Sequence, residues 1–341
     1  MRKSSLAVFS IVVVVSLVLS ACTSTAAPVP SSTEAAGMAT PVASSTKAAG
    51  GQELTGTVAV SGAFALYPMM TVWADEFTKL HPGVQFDVQG GGAGKGMTDT
   101  LAGAVDIGMI SRKIKPEEEA QGAFWVPVAK DAVFPIVSQQ NPVLSDLIAK
   151  GISQELVKKI FITGEVKTWG EVVGKPEVKD EIHVYTRADS AGAADQWALF
   201  AGGKVQADIQ GIAVNGEPAL VDTVSKDPLG IGFSNLNSVF DVSSGKLVTG
   251  VVVPPIDINA NGQADPNEYY QNKDEAVKVI ADGTYPSPPA RFENLATKGK
   301  PTGLVLAFIQ WILTDGQKFL DQAGYVPLTP DQQAESLAKL K

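Results

Sequence analysis

The chain has 341 residues, of which 45% are apolar and 18% charged, with 36 Asp and Glu against 27 Lys and Arg. This composition supplies enough apolar side chains for a buried core and excludes a disordered polyelectrolyte. The 33 Gly and 21 Pro follow no triplet repeat, which excludes a collagen-like fibre. The acidic balance argues against a nucleic-acid partner, and the length favours two domains or lobes.

The first residues have the pattern of a processing signal. Arg2 and Lys3 precede an apolar run at residues 6–19, which is shorter than the roughly 20 residues that a membrane-spanning helix needs. We therefore predict a signal peptide over residues 1–21. The run ends in Leu-Ser-Ala-Cys, which resembles the lipobox of bacterial lipoproteins and implies that Cys22, the only cysteine, is lipidated. The alternative is ordinary cleavage near Ala21, which would leave a free Cys22 thiol.

Residues 22–52 are rich in Ser, Thr, Ala and Pro and contain almost no large apolar residue. Such a segment cannot bury a core, so we predict a flexible tether between the lipidated cysteine and a folded part that begins near Glu53. These features together predict an extracytoplasmic protein that is lipid-anchored to the bacterial cell membrane, in the periplasm or at the cell surface. No later segment is long and apolar enough to span a membrane.

From Glu53 onward, the apolar periodicity alternates between that of strands and that of helices. Strands are predicted at Thr57–Val60, Val84–Val88, Val105–Met109, Ala132–Val137, Ile182–Tyr185 and Leu247–Val253. Helices are predicted at Tyr67–Leu80, Gln154–Phe161, Ala193–Phe200, Asp274–Ala281 and Gly303–Thr314, and a further short helix ends at Ala102. This alternation predicts an α/β fold with helices on both faces of the sheets. We expect lobe 1 over residues 53–140 and 252–341, and lobe 2 over residues 141–251.

Three turns rich in small residues each join a predicted strand to a predicted helix: Ser61–Ala65, Gly90–Gly96 and Arg187–Ala193. A helix N-terminus presents unpaired N–H groups and about half a positive charge, so such a turn suits an anion. The second turn is not a Walker loop, because Lys95 is followed by Gly96 rather than by Ser or Thr, and it lacks a dinucleotide fingerprint. The three turns together predict an anion site.

The segments SGAFALYPMMTVWADEF, GGGAGKG, VDIGMISR and YTRADSAGA, in this order and spacing, resemble the phosphate-binding proteins of bacterial phosphate ABC importers. The resemblance implies a two-lobed, type II periplasmic-binding-protein-like α/β fold, in which each lobe is a sheet flanked by helices and the ligand cleft lies between the lobes. It implies a monomer that captures inorganic phosphate and delivers it to a membrane permease. The alternatives are a binding protein for another tetrahedral oxyanion and a non-transport cell-surface protein on the same fold.

The resemblance also implies a set of ligand-binding residues. Asp106 matches the family carboxylate that accepts a hydrogen bond from protonated phosphate, and Arg187 matches the arginine that neutralises the ligand. Where the family offers Ser or Thr hydroxyls, this chain has alanines, so that backbone N–H groups remain while side-chain donors are lost. Lys95, Ser111, Arg112 and Ser190 are candidates to supply substitute donors; they do not come from the resemblance. The full predicted set is Ala63, Phe64, Ala65, Ala93, Lys95, Asp106, Ser111, Arg112, Arg187, Ser190, Ala191, Gly192 and Ala193.

Residues 257–268 fit the twelve-position calcium-binding pattern D-x-[DN]-x-[DN]-G-x5-E. In that pattern Gly262 makes the sharp turn and Gln263 offers its backbone carbonyl. The candidate ligands are Asp257, Asn259, Asn261, Gln263, Asp265 and Glu268. The sequence thus predicts a structural Ca²⁺ that pins the loop, with a polar turn without metal as the alternative; no other cofactor is expected.

Catalytic chemistry has little support in the residue pattern. The two histidines, His81 and His183, lie at a predicted helix end and in a predicted strand, and no G-x-S-x-G run is present. After removal of the signal peptide and lipidation of Cys22, no thiol remains to act as a nucleophile or zinc ligand. We therefore expect a binding protein rather than an enzyme.

Overall fold

A computed structural model describes residues 53–341; the predicted signal peptide, Cys22 and the tether lie outside the described residues. Strands and helices alternate through this part of the chain. The strands are β1 (Gly56–Gly62), β2 (Val84–Gly90), β3 (Ile107–Ile110), β4 (Ala123–Ser138), β5 (His183–Arg187), β6 (Ile212–Val214), β7 (Gly230–Asn235), β8 (Val251–Val252) and β9 (Ala290–Lys298). The helices are α1 (Tyr67–Leu80), α2 (Ala93–Ala102), α3 (Pro116–Ala120), α4 (Leu144–Lys150), α5 (Gln154–Phe161), α6 (Trp169–Val173), α7 (Gly192–Phe200), α8 (Glu217–Lys226), α9 (Leu236–Val239), α10 (Lys273–Ala281), α11 (Gly303–Ile312) and α12 (Pro330–Leu340).

Two helices begin and end where the sequence predicts. In α1 the buried side chains recur at helical spacing and include Met70, Trp73 and Phe77, so burial of one face stabilises the helix. Helix α5 begins after Ser153, whose hydroxyl accepts a hydrogen bond from the Leu156 amide and thereby caps the helix. Both helices combine clear periodicity with a local start signal, which explains why the sequence predicts them well.

The strands differ more from the predictions. Strand β4 begins at Ala123, although the sequence predicted only Ala132–Val137, and the predicted strand at Leu247–Val253 is reduced to the two residues of β8. Strand β9 was not predicted, because its sequence ARFENLATK carries charged residues that break the apolar pattern. Arg291 and Glu293 are nevertheless buried there, because they pair with each other inside the protein.

The strands form a mixed sheet in the order β2-β1-β3-β9-β4-β7-β5-β6, and β8 pairs with β4 off this path. Parallel pairs join β1 to β2 and β3 on one side, and β5 to β6 and β7 on the other. The long strands β4 and β9 pair with each other in antiparallel fashion between these two groups. Strands β4 and β9 therefore connect the two parallel groups.

The buried apolar side chains form two separate cores. The first core joins residues of 58–129 to residues of 295–340, and the second core joins residues of 132–285 to Val326. Strand β4 contributes to both, with Val126 and Val128 in the first core and Val133 and Phe134 in the second. The chain thus leaves the first core within β4 and returns to it within β9.

This division differs from the expected lobe boundaries near Asn141 and Val252. Val253, Ile256, Tyr270 and Tyr285 all pack in the second core, so the segment after β8 stays with the middle of the chain. The aromatic rings of Phe134, Tyr270 and Tyr285 contact one another and hold this segment in place. The buried apolar residues of the last segment, from Leu295 onward, pack with the first core, except for Val326, which packs with the second.

To cross a membrane, the helices of the described residues would need both a length of about 20 residues and a mainly apolar composition. None of them from residue 53 to residue 341 meets both conditions.

Helix α2 packs directly on the backbone of β1 and β3 at Gly96. A methyl group on Gly96 would lie 2.8 Å from the Gly62 Cα atom and 2.9 Å from the Ser61 carbonyl oxygen, which belong to a paired strand and cannot turn aside. We expect Gly96→Ala to lower the free energy of unfolding in urea by about 1 to 3 kcal/mol. Thr98→Ala, on the exposed side of α2, should change it by less than about 0.5 kcal/mol. Equal stability of the two variants would contradict this packing.

Candidate functional site

The three turns predicted as anion sites meet in the folded protein. The Gly92 amide donates to the Gly62 carbonyl at 3.0 Å, and the Gly94 amide donates to the Ser190 carbonyl at 3.1 Å. The ring of Phe64 lies 5.4 Å from the guanidinium of Arg187. The first, second and third turns therefore converge at the carboxyl ends of β1, β2 and β5, which is where ligands bind in open α/β sheets.

Two glycines are required by this close approach. Gly92 has a φ of +91°, and a methyl group on it would lie 2.6 Å from the Ser190 carbonyl oxygen. A methyl group on Gly192 would lie 2.5 Å from the carbonyl oxygen of Ser111, which follows β3. The backbones of turns from opposite sides of the sheet thus touch, and larger residues would separate them.

Helices α2 and α7 begin at this convergence. Their first residues, Ala93 and Gly192, are buried, and the amides of a first helical turn have no partner within the helix. Ala93 and Ala193 provide no hydroxyl, so the donors are backbone N–H groups. The two helix N-termini therefore bring backbone N–H groups and positive potential to the convergence, an arrangement that suits an anion.

Arg187 is the buried cation of the convergence and is only 4% exposed. Its Nε donates to Asp189 Oδ1 at 2.8 Å and its Nη2 to Asp189 Oδ2 at 2.5 Å. Its Nη1 donates to Glu217 Oε2 at 2.5 Å. Two carboxylates thus hold the planar guanidinium in one orientation, which leaves two of its five N–H bonds for other acceptors.

Glu217 was missed by the sequence predictions. It is the first residue of α8 and only 2% exposed, and its second carboxylate oxygen accepts from the Ser234 hydroxyl and, at 2.7 Å, from the Asn235 amide. The sequence Gly216-Glu217-Pro218 is a recognisable helix start, with an acidic residue in the first turn and an early proline. That signal predicts a helix but not a buried carboxylate, because Arg187 lies 30 residues earlier in the chain.

The side chain of Gln206 holds the third turn through three hydrogen bonds. Its side-chain oxygen accepts from the Ala191 amide at 2.9 Å, and its side-chain nitrogen donates to the carbonyls of Arg187 and Asp189 at 2.8 Å and 2.7 Å. A single amide side chain thereby fixes three peptide groups of the turn. No sequence motif marks this residue, since it lies in a short 3₁₀ segment after α7.

The two other cations of the predicted set are already paired. Lys95 forms an ion pair with Asp99, whose carboxylate also accepts from the Ser61 hydroxyl at 2.7 Å. Arg112 binds Glu118 through two hydrogen bonds of 2.9 Å and 2.6 Å. Ser111 stays at the convergence beside Gly192, whereas the Arg112 side chain is directed to α3.

The prediction that Asp106 lies at the ligand is wrong, because this residue lies away from the place where the turns meet. Asp106 is exposed at the amino end of β3, where its carboxylate accepts from the Ala59 amide at 2.8 Å. The turns converge at the other end of the same strand, and β3 runs parallel to β1. The motif matched, but a four-residue strand separates its aspartate from the site.

Ala63 and Ala65 lie in the first turn as predicted. The Ala63 amide donates to the Met109 carbonyl, and the Ala65 carbonyl accepts from the Tyr325 hydroxyl.

A cavity of about 310 Å³ lies beside the convergence. Arg112, Gln196, Trp125 and Phe292 line it, together with Asn294 of β9. None of the three turns contributes to its lining, so this cavity differs from the place where the turns meet.

A second buried polar cluster lies between the two cores. Arg291 Nη2 donates to Asp131 Oδ2 at 3.0 Å, and Arg291 Nε donates to Glu293 Oε1 at 3.1 Å. Burial raises the pKa of Glu293 to about 8, against the opposing effect of Arg291. Burial also raises the pKa of Asp131. Two carboxylates share one guanidinium here, which explains why one of them favours its neutral form.

The predicted calcium loop folds around its own hydrogen bonds. The Asp257 carboxylate accepts from the amides of Asn261 and Gly262 at 3.1 Å and 2.9 Å. The Glu268 carboxylate accepts from the amides of Ile258 and Asp265 at 2.7 Å and 2.9 Å. Across residues 53–341, no three His, Cys, Asp or Glu side chains gather closely enough to hold a metal.

The mixed sheet, with backbone turns converging at the carboxyl ends of its strands, defines the class to which the chain belongs. Residues 45–316 match the family model of the PBP superfamily domain, so the chain belongs to the PBP, or periplasmic-binding-protein, superfamily. The predicted α/β fold of this class is confirmed.

Curated relatives match over most of their length. The phosphate-binding protein PstS of Bacillus subtilis (strain 168) is 27% identical over 282 residues, which are 82% of this chain and 83% of the relative. The phosphate-binding protein PstS of Pseudomonas aeruginosa is 27% identical over 312 residues, which are 84% of this chain and 87% of the relative. Each of these relatives is therefore similar to more than four fifths of this chain.

Solved structures share the fold. A phosphate-bound substrate-binding protein from Clostridium perfringens superposes with a TM-score of 0.63 at 22% identity, over 80% of this chain and 100% of the other. An ABC-type phosphate transport receptor from Vibrio cholerae superposes with a TM-score of 0.58 at 21% identity, over 80% and 100%. At this level of identity the likeness concerns the fold.

The raised pKa of Glu293 has a consequence for stability. Between the usual carboxyl pKa and about 8, the folded state keeps a proton that the unfolded state releases, so the free energy of unfolding falls as the pH rises through this range. Glutamine does not titrate, so Glu293→Gln should not lose stability in this way as the pH rises. The free energy of unfolding of the variant minus that of the unchanged protein should therefore increase with pH, by up to about 1.4 kcal/mol per pH unit between pH 5 and 8. Urea unfolding at several pH values measures the difference, and a difference independent of pH would contradict the raised pKa.

Proposed function

We propose that this protein captures inorganic phosphate outside the cytoplasm and delivers it to an ABC importer. The observation that carries the proposal is the convergence of three backbone turns, two of which open helices α2 and α7, around the buried Arg187. The names of the PstS relatives from Bacillus subtilis and Pseudomonas aeruginosa support phosphate as the ligand. Those names describe binding proteins, which supports a role in binding rather than in catalysis.

The proposed binding mode depends on backbone dipoles. Each helix N-terminus contributes about half a positive charge, so α2 and α7 together offset about one negative charge of the ligand. Arg187 adds hydrogen bonds from its two remaining N–H bonds. Ser111 and Ser190 are the hydroxyl side chains of the predicted set at the convergence, and they offer donors where Ala93, Ala191 and Ala193 offer none.

The same alanines favour a second candidate ligand class, another tetrahedral oxyanion. A site that relies on backbone amides recognises the shape and charge of an oxyanion more than a specific pattern of hydroxyl partners. Asp106 takes no part in choosing between the anions, since it lies at the opposite end of β3. Direct comparison of phosphate with arsenate, sulfate and molybdate distinguishes these candidates.

In the proposed transport cycle, the two cores are the centres of two lobes that close on the ligand. Strands β4 and β9 pass between the cores and act as the hinge. The hydrogen bond from the Gly94 amide to the Ser190 carbonyl crosses between a turn of the first lobe and a turn of the second, so it belongs to the closed state. Closure around phosphate would then be the signal that the permease recognises.

The proposed location rests on the sequence alone. Cys22 would carry the lipid, and residues 23–52 would form the tether that keeps a monomeric binding domain close to the membrane. Cys22 and residues 23–52 lie outside the described residues. This location suits a protein that passes its ligand to a membrane permease, because the anchor restricts the distance between the two partners.

The first test of the proposed function is calorimetric titration of the purified protein with phosphate, with Arg187→Lys as the variant. Lysine keeps the charge but cannot reproduce the planar donors that hold Asp189, Glu217 and a ligand at once. We expect phosphate affinity to fall by about ten- to a hundredfold, as loss of a charge-assisted hydrogen bond predicts. A circular dichroism spectrum of the variant, compared with that of the unchanged protein, is the control for correct folding.

The comparison variant for this test is Asp106→Asn, for which we expect unchanged phosphate affinity. If Arg187→Lys kept the phosphate affinity of the unchanged protein, the proposed binding site at Arg187 would be wrong. Binding of sulfate or molybdate in place of phosphate would support the second ligand class.

We also propose that the loop at residues 257–268 binds a structural Ca²⁺. The supporting observations are its match to the twelve-position pattern and the burial of the two acidic residues at its ends, Asp257 and Glu268. Asn259 and Asn261 both donate from their side-chain nitrogens to Asp265, so they would exchange this contact for oxygen coordination when the ion binds. The ion would replace hydrogen bonds within the loop.

Calcium binding is tested on chelator-treated protein by titration and thermal unfolding. We expect Ca²⁺ to release or absorb heat and to raise the melting temperature, because a ligand at about 100 times its dissociation constant adds about 2.7 kcal/mol to stability. Glu268→Gln should abolish both effects, whereas Asp274→Asn, an exposed acidic residue of α10, should leave them unchanged. An unchanged melting temperature without heat would exclude the site.

A further inference from the structure

The buried cluster at Arg291 lies at the junction of the two cores. Asp131 on β4 faces Arg291 on β9 in the strand register, immediately between the β4 residues that belong to the first core and those that belong to the second. Arg291, Asp131 and Glu293 are all buried. The only strands that pass between the cores, within residues 53–341, therefore carry one buried cation and two buried carboxylates at their crossing point.

A continuous chain of hydrogen bonds connects this cluster to the proposed anion site. Arg291 Nη2 donates to the Asn235 side-chain oxygen, and the backbone N–H of the same Asn235 donates to Glu217 Oε1 at 2.7 Å. The other oxygen of Glu217 accepts from Arg187 at 2.5 Å. Glu217 is thus the residue that touches both Arg187 at the end of β5 and the network that reaches β9.

We propose that Glu217 is a positioning residue through which the buried pair Asp131 and Glu293 makes anion binding dependent on protonation. The proposal rests on the proposed function, since it concerns the anion that Arg187 binds. Glu217 does not itself need to touch the anion. One of its carboxylate oxygens orients Arg187, and the other contacts the network through which the charge of the cluster acts on Arg187.

The charges of the cluster explain why it should hold a proton. Two carboxylates share the single guanidinium of Arg291, and a second buried negative charge without a partner costs several kcal/mol. Asp131 Oδ1 and Glu293 Oε2 have no hydrogen-bond partner among the described residues, so each offers an oxygen that a proton can occupy. Burial raises the pKa of Glu293 to about 8, so the pair keeps this proton at neutral pH.

Three other titratable groups face the cluster. Glu217 faces it from α8, and the buried hydroxyls of Tyr285 and Tyr325 face it from the segments after α10 and α11. Burial raises the pKa of both tyrosines well above its usual range, so they stay neutral. The proton on the Asp131 and Glu293 pair is therefore the variable charge of the network.

The direction of the effect follows from linkage. When the pH rises through about 8, the pair loses its proton and the network gains a negative charge that opposes an anion at Arg187. Anion affinity should fall with rising pH, and binding of the anion should in turn favour uptake of the proton, because coupling between two sites is reciprocal. A change of one unit in the pKa of the pair corresponds to about a tenfold change in affinity.

The test measures phosphate affinity by calorimetry on the full chain at several pH values from 6.5 to 9.5. The proteins are the unchanged chain, Glu293→Gln, Glu217→Gln and, as a matched control, Glu155→Gln, which removes an exposed carboxylate of α5. Titration of phosphate itself is common to all four proteins, so the quantity compared at each pH is the ratio of a variant's dissociation constant to that of the unchanged chain.

We expect this ratio to change by about three- to tenfold between pH 7 and 9 for Glu293→Gln and for Glu217→Gln, and to stay constant for Glu155→Gln. A purely structural role of either residue would shift the dissociation constant by one factor at every pH. A constant ratio for Glu293→Gln or for Glu217→Gln would therefore overturn the inference while the proposed function stands. An unchanged chain that binds no phosphate at any pH would overturn both.

Discussion

The antiparallel pairing of β4 with β9 is the constraint on which the other features depend. These long strands carry the chain from one apolar core to the other, so their register decides which residues of each core face one another. Strands β1 and β3 extend the sheet on one side, and β7 and β5 extend it on the other. The turns that follow these parallel strands are thereby brought to a common place, which no local interaction within either half could achieve.

Where the turns meet, the donors come mainly from the backbone. Small residues allow the second and third turns to approach within hydrogen-bond distance, and helix N-termini supply the positive potential. Alanines in these turns remove hydroxyl donors without disturbing the approach. The side chains that matter most are then those that orient Arg187, namely Asp189 and Glu217. Because Glu217 also contacts Asn235, and Asn235 contacts Arg291, the side chains at the proposed anion site and the buried charges on the crossing strands belong to a single network of contacts.

The success of sequence reasoning varied with the range of the interactions involved. Helix α1 was predicted with its correct limits, since its apolar spacing and the proline at its start are local signals. Strand β9 was missed, since its charged residues become compatible with burial only when Asp131 and Arg291 meet across 160 residues of sequence. Asp106 was misplaced for a related reason: a motif match identifies a residue type, while the end of the strand at which it lies is decided by the register of β3 against β1.

The sequence by itself determined the α/β alternation, the three turns rich in small residues, the place of Arg187 in the third turn and the calcium-type pattern of residues 257–268, because each is encoded by residues close together along the chain. The tertiary structure alone decided where the cores divide, which carboxylates hold Arg187 and which carboxylates are buried between the cores beside Arg291. Those features depend on pairs such as Arg187 and Glu217, or Asp131 and Arg291, whose partners are far apart in sequence. Burial raises the pKa of Asp131 and of Glu293, since the cost of an unpaired charge arises only when folding removes the surrounding water.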